Sequence, residues 1–167
     1  MNSEELKQMQ APLKEKYRSD PGAALIRLKA EGKIGEGISC TLETGRALID
    51  AGLHPATGGS GIQACSGDLL LQALVACAGV TLSAVATAIG IEISEGSVKA
   101  EGDLDFRGTL GVSKEVPVGF ISIRLYFSIR SNATADQLKS LLHLTERYCV
   151  VYQTLVKGVP VETILLD

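Results

Sequence analysis

Apolar and polar residues follow two different patterns along the chain, and one long apolar stretch stands out. This stretch is SGDLLLQALVACAGVTLSAVATAIG, residues 66–90, and Asp68 is its one charged residue. Ser66 and Asp68 are typical of a helix N-terminus, where free amides and the helix dipole favour oxygen acceptors and negative charge. Gly90 is typical of a helix end, because glycine adopts the left-handed conformation without steric cost. The pattern predicts a long central helix.

This apolar stretch also meets the length criterion for a membrane span, about 20 apolar residues. It is nevertheless rich in Ala, Gly, Ser and Thr and has no Lys or Arg at either end. Alternating stretches typical of soluble sheets follow it. The residue types therefore favour a buried helix, apolar all round, and no membrane partner is expected.

Stretches in which apolar and polar residues alternate predict β-strands on both sides of this helix. Strands are expected near residues 24–31, 38–42, 46–49, 98–106, 121–130 and 159–166. The segment 107–119 predicts a long hairpin loop. Because the strands come in runs and do not alternate strictly with helices, the expected fold class is α+β.

A second helix is predicted after residue 134. Thr134 and Gln137 form the S/T-x-x-E/Q pattern of a capping box. Intervals of four, three and four residues place one set of side chains on a single helix face. That set is Leu138, Leu142, Thr145 and Cys149. Cys149 is therefore expected to point inward from the end of its helix.

The N-terminal residues predict a separate polar helix. Residues 3–18 carry a thin apolar stripe of Leu6, Met9 and Leu13, interrupted by Pro12. Asp20, Pro21 and Gly22 then break the chain. The expected domains are an N-terminal helical extension, residues 1–22, and an α+β domain, residues 23–167. One sheet and one short helix cannot cover the apolar central helix, so a homodimer is expected.

Charge and composition narrow the function. The chain has 167 residues, a net charge of −3 and no run of Lys or Arg. Nucleic acid is not an expected partner, because basic side chains are needed to neutralise phosphates. The N-terminus lacks the apolar core of a secretory signal, so a cytoplasmic location is expected.

The cysteines are the strongest candidates for a chemical role. In the cytoplasm thiols stay reduced, so Cys40, Cys65, Cys77 and Cys149 are interpreted as packed, metal-binding or redox residues. Two histidines and no C-x-x-C motif argue against zinc, and no metal is expected. Cys40 falls on the apolar side of its strand, as an inert buried thiol would.

The loop before the central helix, AGLHPATGGSGIQAC, is dense in Gly and Pro. Such loops often build part of a site. Its GGSG is not followed by Lys-Ser/Thr, so a phosphate-binding loop is not indicated. His54 is either a proton carrier or a hydrogen-bonding loop residue. Cys65 is either a thiolate favoured by the helix dipole or an inert loop cysteine.

Two cysteine motifs resemble those of one family. LLLQALVACAGVTL, with Cys77, and TERYCVVYQTL, with Cys149, resemble the paired signature of the OsmC/Ohr family of osmotically inducible and organic hydroperoxide resistance proteins. EGDLDFRGTLGV also resembles the family's segment before its long hairpin. The resemblance covers most of the chain beyond about residue 24.

The resemblance implies an intertwined homodimer in which antiparallel sheets wrap around the central helix, with the active site at the interface. It also implies a thiol peroxidase for organic hydroperoxides and a role in the stress response. Cys77 would attack the peroxide, become a sulfenic acid and form a disulfide with Cys149. A dithiol such as dihydrolipoamide would then reduce the disulfide, with no metal or organic cofactor.

The sequence departs from the family pattern around the first cysteine. The peroxidases carry a glutamate ten residues before that cysteine, and it holds an activating arginine. Here Gly67 stands at that place and Asp68 follows it. HPATGG stands where an arginine is expected, which leaves Arg46 and Arg107 as candidate substitutes.

A second departure is Val150, which replaces the proline that follows the second cysteine. Burial disfavours a thiolate, so a nearby cation or hydrogen-bond donor must offset it. The alternative function is a non-peroxidatic dimer that binds an apolar small molecule at its interface. A third possible function is other thiol chemistry, through Cys65 or His54.

Overall fold

The computed structural model describes residues 2–20, 31–34, 39–43 and 48–166. In these residues the chain forms six strands and five α-helices. In chain order they are α1 (Ser3–Ser19), β1 (Glu31–Ile34), β2 (Ser39–Glu43), β3 (Leu48–Gly52), β4 (Ala64–Cys65), α2 (Ser66–Ile89), β5 (Ile93–Asp103), α3 (Phe106–Thr109), β6 (Ser122–Ser131), α4 (Ala135–Tyr148) and α5 (Val150–Lys157). A one-turn 3-10 helix, Pro55–Thr57, precedes β4.

The elements group into two compact parts. The helical part comprises Met1–Lys7, Ala73–Lys99 and Tyr126–Asp167, and the loop-rich part comprises Gln8–Gln72 and Ala100–Leu125. The mixture of helices with a small, largely antiparallel sheet confirms the α+β class. The predicted domain boundary after residue 22 stays a prediction.

The N-terminal strands form a four-stranded sheet in the order β1, β2, β3, β4. The first three strands are antiparallel neighbours, and β4 runs parallel to β3. An antiparallel meander was expected here, and β3 includes the described residues of the third predicted strand, 48 and 49, and extends to Gly52. Residues 24–30 of the first predicted strand lie outside the described residues, as does Arg46.

The central helix α2 begins at Ser66 and ends at Ile89, as predicted. Gly90 follows it with φ 76°, the left-handed conformation expected of a helix-ending glycine. Within one chain only a stripe of α2 is buried: Leu74, Ala78, Leu82 and Ala86. By length and composition α2 could also cross a membrane, and 22% of its most apolar window is buried. Its burial in a homodimer stays a prediction.

A compact core lies in the helical part. Its fully buried centre consists of Leu82 and Ala86 of α2, Leu141 of α4 and Ile91, which lies between α2 and β5. Half-buried apolar side chains complete it: Val85, Ile93, Phe127, Ile129, Ala133, Leu138 and Leu142. The buried positions of α4 recur every three or four residues, as an amphipathic helix requires. The core therefore fixes α4 against α2.

β5 and β6 pair as a two-stranded sheet. Glu92 is hydrogen-bonded to Asn132 at one end and Asp103 to Ile121 at the other, so the strands run in opposite directions. Exposure alternates along β6 residue by residue, as predicted for a half-buried strand. The predicted strand 98–106 was too long at its end, since Asp105 caps the short helix α3 there.

The C-terminal residues differ most from expectation. The capping box of α4 is present, with Thr134 and Gln137 bonding each other's backbone N–H groups. The helix α5 was not predicted, because β-branched residues in VVYQTLVK favour strands. The predicted strand 159–166 was wrong: these residues have no regular secondary structure, and Val161 and Leu165 are about nine-tenths exposed. No strand in the described part of the chain pairs with these residues, so their alternating pattern does not form a β-strand.

Candidate functional site

Three helices position the two cysteines of the candidate site. Cys77 is on α2, and Cys149 is the single residue between α4 and α5. Leu141, Thr145 and Cys149 recur every four residues and are at most 1% exposed, which turns Cys149 inward. Its extended backbone, φ −72° and ψ 110°, ends α4 and starts α5.

Cys77 and Cys149 lie close enough for each thiol to shift the pKa of the other. Both are free thiols. Cys149 is 1% exposed, whereas Cys77 is half-buried. The catalytic roles of the two residues stay predictions.

Three further groups lower the pKa of the Cys77 thiol. They are the backbone N–H groups of Val150 and Val151, in the first turn of α5, and the Thr81 hydroxyl. Helix first-turn N–H groups have no partner within the helix. Cys149 is the N-cap residue of α5, but its side chain makes no capping hydrogen bond.

These donors decide the ionisation of Cys77. Burial raises its pKa, but the N–H of Val151, the Cys149 thiol, the N–H of Val150 and the Thr81 hydroxyl together outweigh burial. The pKa of Cys77 is therefore lowered from the ordinary cysteine value. A lower pKa increases the thiolate fraction at neutral pH, and the thiolate is the nucleophile.

Cys149 has the opposite character. Burial is the main cause that raises its pKa, and the neighbouring Cys77 sulfur raises it further. The backbone N–H groups of Tyr152 and Val151 oppose this in part. The pair therefore favours ionisation of Cys77 over ionisation of Cys149.

Three groups that lower the pKa of Cys77 were not predicted from the sequence: Thr81 and the N–H groups of Val150 and Val151. Thr81 follows Cys77 by four residues, so the two side chains share a face of α2. That spacing could have identified Thr81. For the two valines no side-chain signal exists, because they act through the main chain of an unpredicted helix.

The candidate supporting residues before α2 lie in the loop-rich part. Cys65, His54 and Asp68 line an open cavity of about 340 Å³, together with Gly67, Leu71, Gly102, Asp103, Leu104, Phe106 and Phe120. Asp68 precedes Cys77 by nine residues on the same helix, a rise of about 13 Å. The Asp68 carboxylate thus lies on a different turn of α2 from the thiol.

His54 has a structural role in its loop. Its Nδ1 accepts a hydrogen bond of 3.1 Å from the Ala56 N–H and caps the 3-10 helix. Its ring stacks on Phe106, with 4.9 Å between ring centroids. Because Nδ1 is the acceptor, the proton of the neutral imidazole lies on Nε2.

Arg107 is bound by the carboxylate of Asp105. The guanidinium donates to both carboxylate oxygens, with Nε at 3.0 Å from each. Hydrogen bonds from the Arg107 side chain lower the pKa of Asp105 below its ordinary value. Arg46, the other candidate arginine, lies outside the described residues.

No group of three or more metal-ligating side chains comes together in the described part of the chain.

Comparison with known proteins identifies the family. The family model of OsmC-like proteins matches residues 58–164, which is more than half of the chain. No curated protein matches the sequence.

Solved structures share the fold at low sequence identity. An OsmC-like protein from Mycoplasma pneumoniae has a TM-score of 0.67 and 20% identity, covering 80% of this chain and 89% of that one. An organic hydroperoxide resistance protein from Elizabethkingia anophelis has a TM-score of 0.63 and 16% identity, covering 80% and 91%. One from Legionella pneumophila has a TM-score of 0.62 and 18% identity, covering 80% and 93%. The chain belongs to the OsmC-like protein family.

Proposed function

We propose that the protein is a thiol-dependent peroxidase that reduces organic hydroperoxides. The observation that carries this proposal is the interaction between Cys77 and the buried Cys149, in which the pKa of Cys77 is lowered and that of Cys149 is raised. Two of the similar structures are named organic hydroperoxide resistance proteins, which supports the substrate class.

The first step is attack by Cys77. Its thiolate bonds to the terminal oxygen of ROOH, the O–O bond breaks, and RO⁻ leaves and takes a proton from water. The sulfur loses two electrons and becomes a sulfenic acid, while the peroxide becomes an alcohol. The donors around Cys77 favour this step because they stabilise the thiolate before attack.

The second step is capture by Cys149. Its sulfur attacks the Cys77 sulfenic acid, the S–O bond breaks, and the hydroxyl leaves with the Cys149 proton as water. A thiol in contact captures the sulfenic acid before further oxidation. An external dithiol, dihydrolipoamide-like, then reduces the disulfide and regenerates both thiols.

The apolar character of α2 supports an organic substrate over hydrogen peroxide. The residues beside Cys77 on this helix are Ala, Gly, Val and Leu. An alkyl or aryl group gains free energy when it leaves water for such a surface.

The proposal includes a cytoplasmic homodimer without a membrane partner. Val80 of α2 is 72% exposed and Leu166 is 85% exposed in one chain. Apolar surface of this extent usually marks an interface. A second copy would cover both the exposed side of α2 and the C-terminal residues.

A second candidate function is binding of an apolar small molecule by a non-peroxidatic dimer. One observation favours it: Arg107, a candidate activating arginine, is held by Asp105. Gly67 also stands where the peroxidases carry glutamate. This function would need no reaction at Cys77.

A turnover assay separates the two functions. Reduced protein is mixed with cumene hydroperoxide and dihydrolipoamide, and peroxide loss is followed against a protein-free control. The peroxidase consumes many equivalents of peroxide per chain. Loss of no more than one equivalent per chain contradicts the peroxidase, and saturable binding of cumyl alcohol without turnover would support the binding function.

A further inference from the structure

The open cavity of about 340 Å³ that Cys65 lines, called the Cys65 cavity below, belongs to the loop-rich part of the molecule. All its lining residues lie in that part, whereas Cys77 and Cys149 lie in the helical part. Its volume is at the lower end of the range for small-molecule sites, about 300–1,000 Å³. The cavity is therefore large enough for a ligand with a single ring.

Close packing at two glycines shapes the apolar wall of this cavity. A Cβ atom on Gly102 would collide with the Phe120 ring, so the ring lies directly on the main chain there. A Cβ atom on Gly67 would lie 3.4 Å from the same ring, 3.6 Å from the Cys65 Sγ and 3.7 Å from Leu104. Phe120, Cys65 and Leu104 therefore converge beside Gly67.

Neighbouring contacts hold the other side chains of the wall. The His54 ring stacks on Phe106, and both rings line the cavity. The Ile121 N–H donates to the Asp103 carbonyl oxygen at 2.8 Å, which fixes the main chain beside Phe120. A wall that is already ordered loses little conformational freedom when a ligand binds.

Two carboxylates supply the charge at the cavity, Asp68 and Asp103. Asp103 binds the guanidinium of Arg124, with Nη2 at 3.0 Å from Oδ1, so its charge is offset. Asp68 is exposed in the first turn of α2. The N-terminus of a helix carries about half an elementary positive charge, which the full charge of Asp68 exceeds. The cavity should therefore prefer a cation to an anion.

We propose that the Cys65 cavity binds a small primary amine that carries an apolar group. The apolar group lies against Phe120 and Leu104, where it leaves water, and the ammonium group faces the Asp68 carboxylate. A bound amine covers the Cys65 thiol, because that thiol lines the same cavity. The site is independent of the peroxidase function, since it uses neither cysteine of the proposed catalytic pair.

Three probes of similar size and different charge test this proposal. At pH 7 benzylamine is a cation, benzyl alcohol is neutral and benzoate is an anion. Each probe is titrated into reduced protein, and the thiols are then modified with methyl methanethiosulfonate, which does not react with amines. Tandem mass spectrometry measures the modification rates of Cys65 and Cys77 in the same sample.

Benzylamine should slow the modification of Cys65 in a saturable way and leave the rate at Cys77 unchanged. Its half-saturating concentration should be about two- to fivefold lower than that of benzyl alcohol, the effect of one exposed ion pair, and added salt should reduce this preference. Benzoate should protect least. Equal protection by benzylamine and benzoate, equal slowing of Cys65 and Cys77, or no saturation by any probe would overturn the proposal.

A pair of substitutions at Gly67 tests whether the probe occupies the cavity. Gly67→Leu extends a side chain among Phe120, Cys65 and Leu104, so it should abolish the protection of Cys65 relative to the same variant without probe. Gly67→Ala is the control, because its Cβ atom makes only ordinary van der Waals contacts and protection should remain. Full protection in the leucine variant would place the amine elsewhere and overturn the site.

A second matched pair tests the charge. Asp68→Asn should remove the preference for benzylamine over benzyl alcohol and keep the protection by benzyl alcohol. Asp136→Asn is the control, since Asp136 is also exposed in the first turn of a helix, and the preference should persist. Equal preferences in the two variants would overturn the role of Asp68. Should Gly67→Leu fail to fold, as judged by circular dichroism, this pair decides.

Discussion

The two parts of the molecule stabilise negative charge in different ways. In the helical part, uncharged donors lower the pKa of the half-buried Cys77, and the neighbouring Cys149 thiol is 1% exposed. In the loop-rich part, Asp103 and Asp105 are held by Arg124 and Arg107, with the arginine side chains 43% and 64% exposed.

The difference follows from how far each charged group is exposed to water. Exposed ion pairs contribute little to stability, because water already stabilises each charge. An anion that has lost part of its water depends more on the donors that remain. The exposed ion pairs therefore add little to stability, whereas the uncharged donors near Cys77 favour its thiolate.

The largest expected effect separates the two cysteines of the pair. Cys77→Ser should lower peroxide turnover by at least about a hundredfold, since the nucleophile is lost. Cys149→Ser should also stop repeated turnover with the dithiol at low peroxide concentration. Each chain of this variant should still reduce one equivalent of peroxide. Dimedone should then trap a sulfenic acid on Cys77. A Cys65→Ser control should keep turnover, and its loss would assign the chemistry to a different thiol.

The next effect concerns the buried face that orients Cys149. Leu141→Ala leaves a cavity in a fully buried site and should lower the free energy of unfolding by about 2–5 kcal/mol. Arg124→Gln, at the exposed pair, should cost less, and its cost should shrink with added salt. Urea unfolding at two salt concentrations measures both. Equal losses would contradict the comparison between buried and exposed parts.

The pH dependence of stability has a defined sign. The pKa of Cys77 is lowered on folding, so the unfolded chain binds more protons between the folded pKa and the unfolded value of about 8.5. The free energy of unfolding should therefore increase with pH through this window. Below the folded pKa this contribution is absent. Cys77→Ser should remove that part of the slope. Cys149, whose pKa is raised, contributes with opposite sign only above about 8.5.

The smallest expected effect is at Arg107. Its guanidinium is bound by Asp105, so Arg107→Gln should change peroxide turnover by less than about twofold. The matched variant Arg130→Gln removes another exposed ion pair and should behave alike. A tenfold loss at Arg107 alone would show that this arginine acts on the thiol after all.

Local signals made much of the fold predictable from sequence. Ser66 and Gly90 bound α2, and Thr134 and Gln137 start α4, because caps depend on residues within one turn. The pairing of Cys77 with Cys149 could be stated in advance only from the resemblance, since nothing local joins residues so far apart along the chain.

Other features depended on tertiary contacts. α5 is rich in valine and forms a helix in spite of the strand preference of its β-branched residues. The donors from Val150 and Val151 carry no side-chain signal, so no pattern could reveal them. Residues 159–166 alternate like a strand but have no neighbouring strand in the described chain.

The disulfide that forms on oxidation shows which cysteines react with the peroxide. Reduced protein receives one equivalent of cumene hydroperoxide, is alkylated and is digested without reductant, and disulfide-linked peptides are mapped by mass spectrometry. We expect one bridge, between Cys77 and Cys149, in proportion to the peroxide added. Unmodified thiols at both positions, or a bridge that joins Cys65 instead, would contradict it.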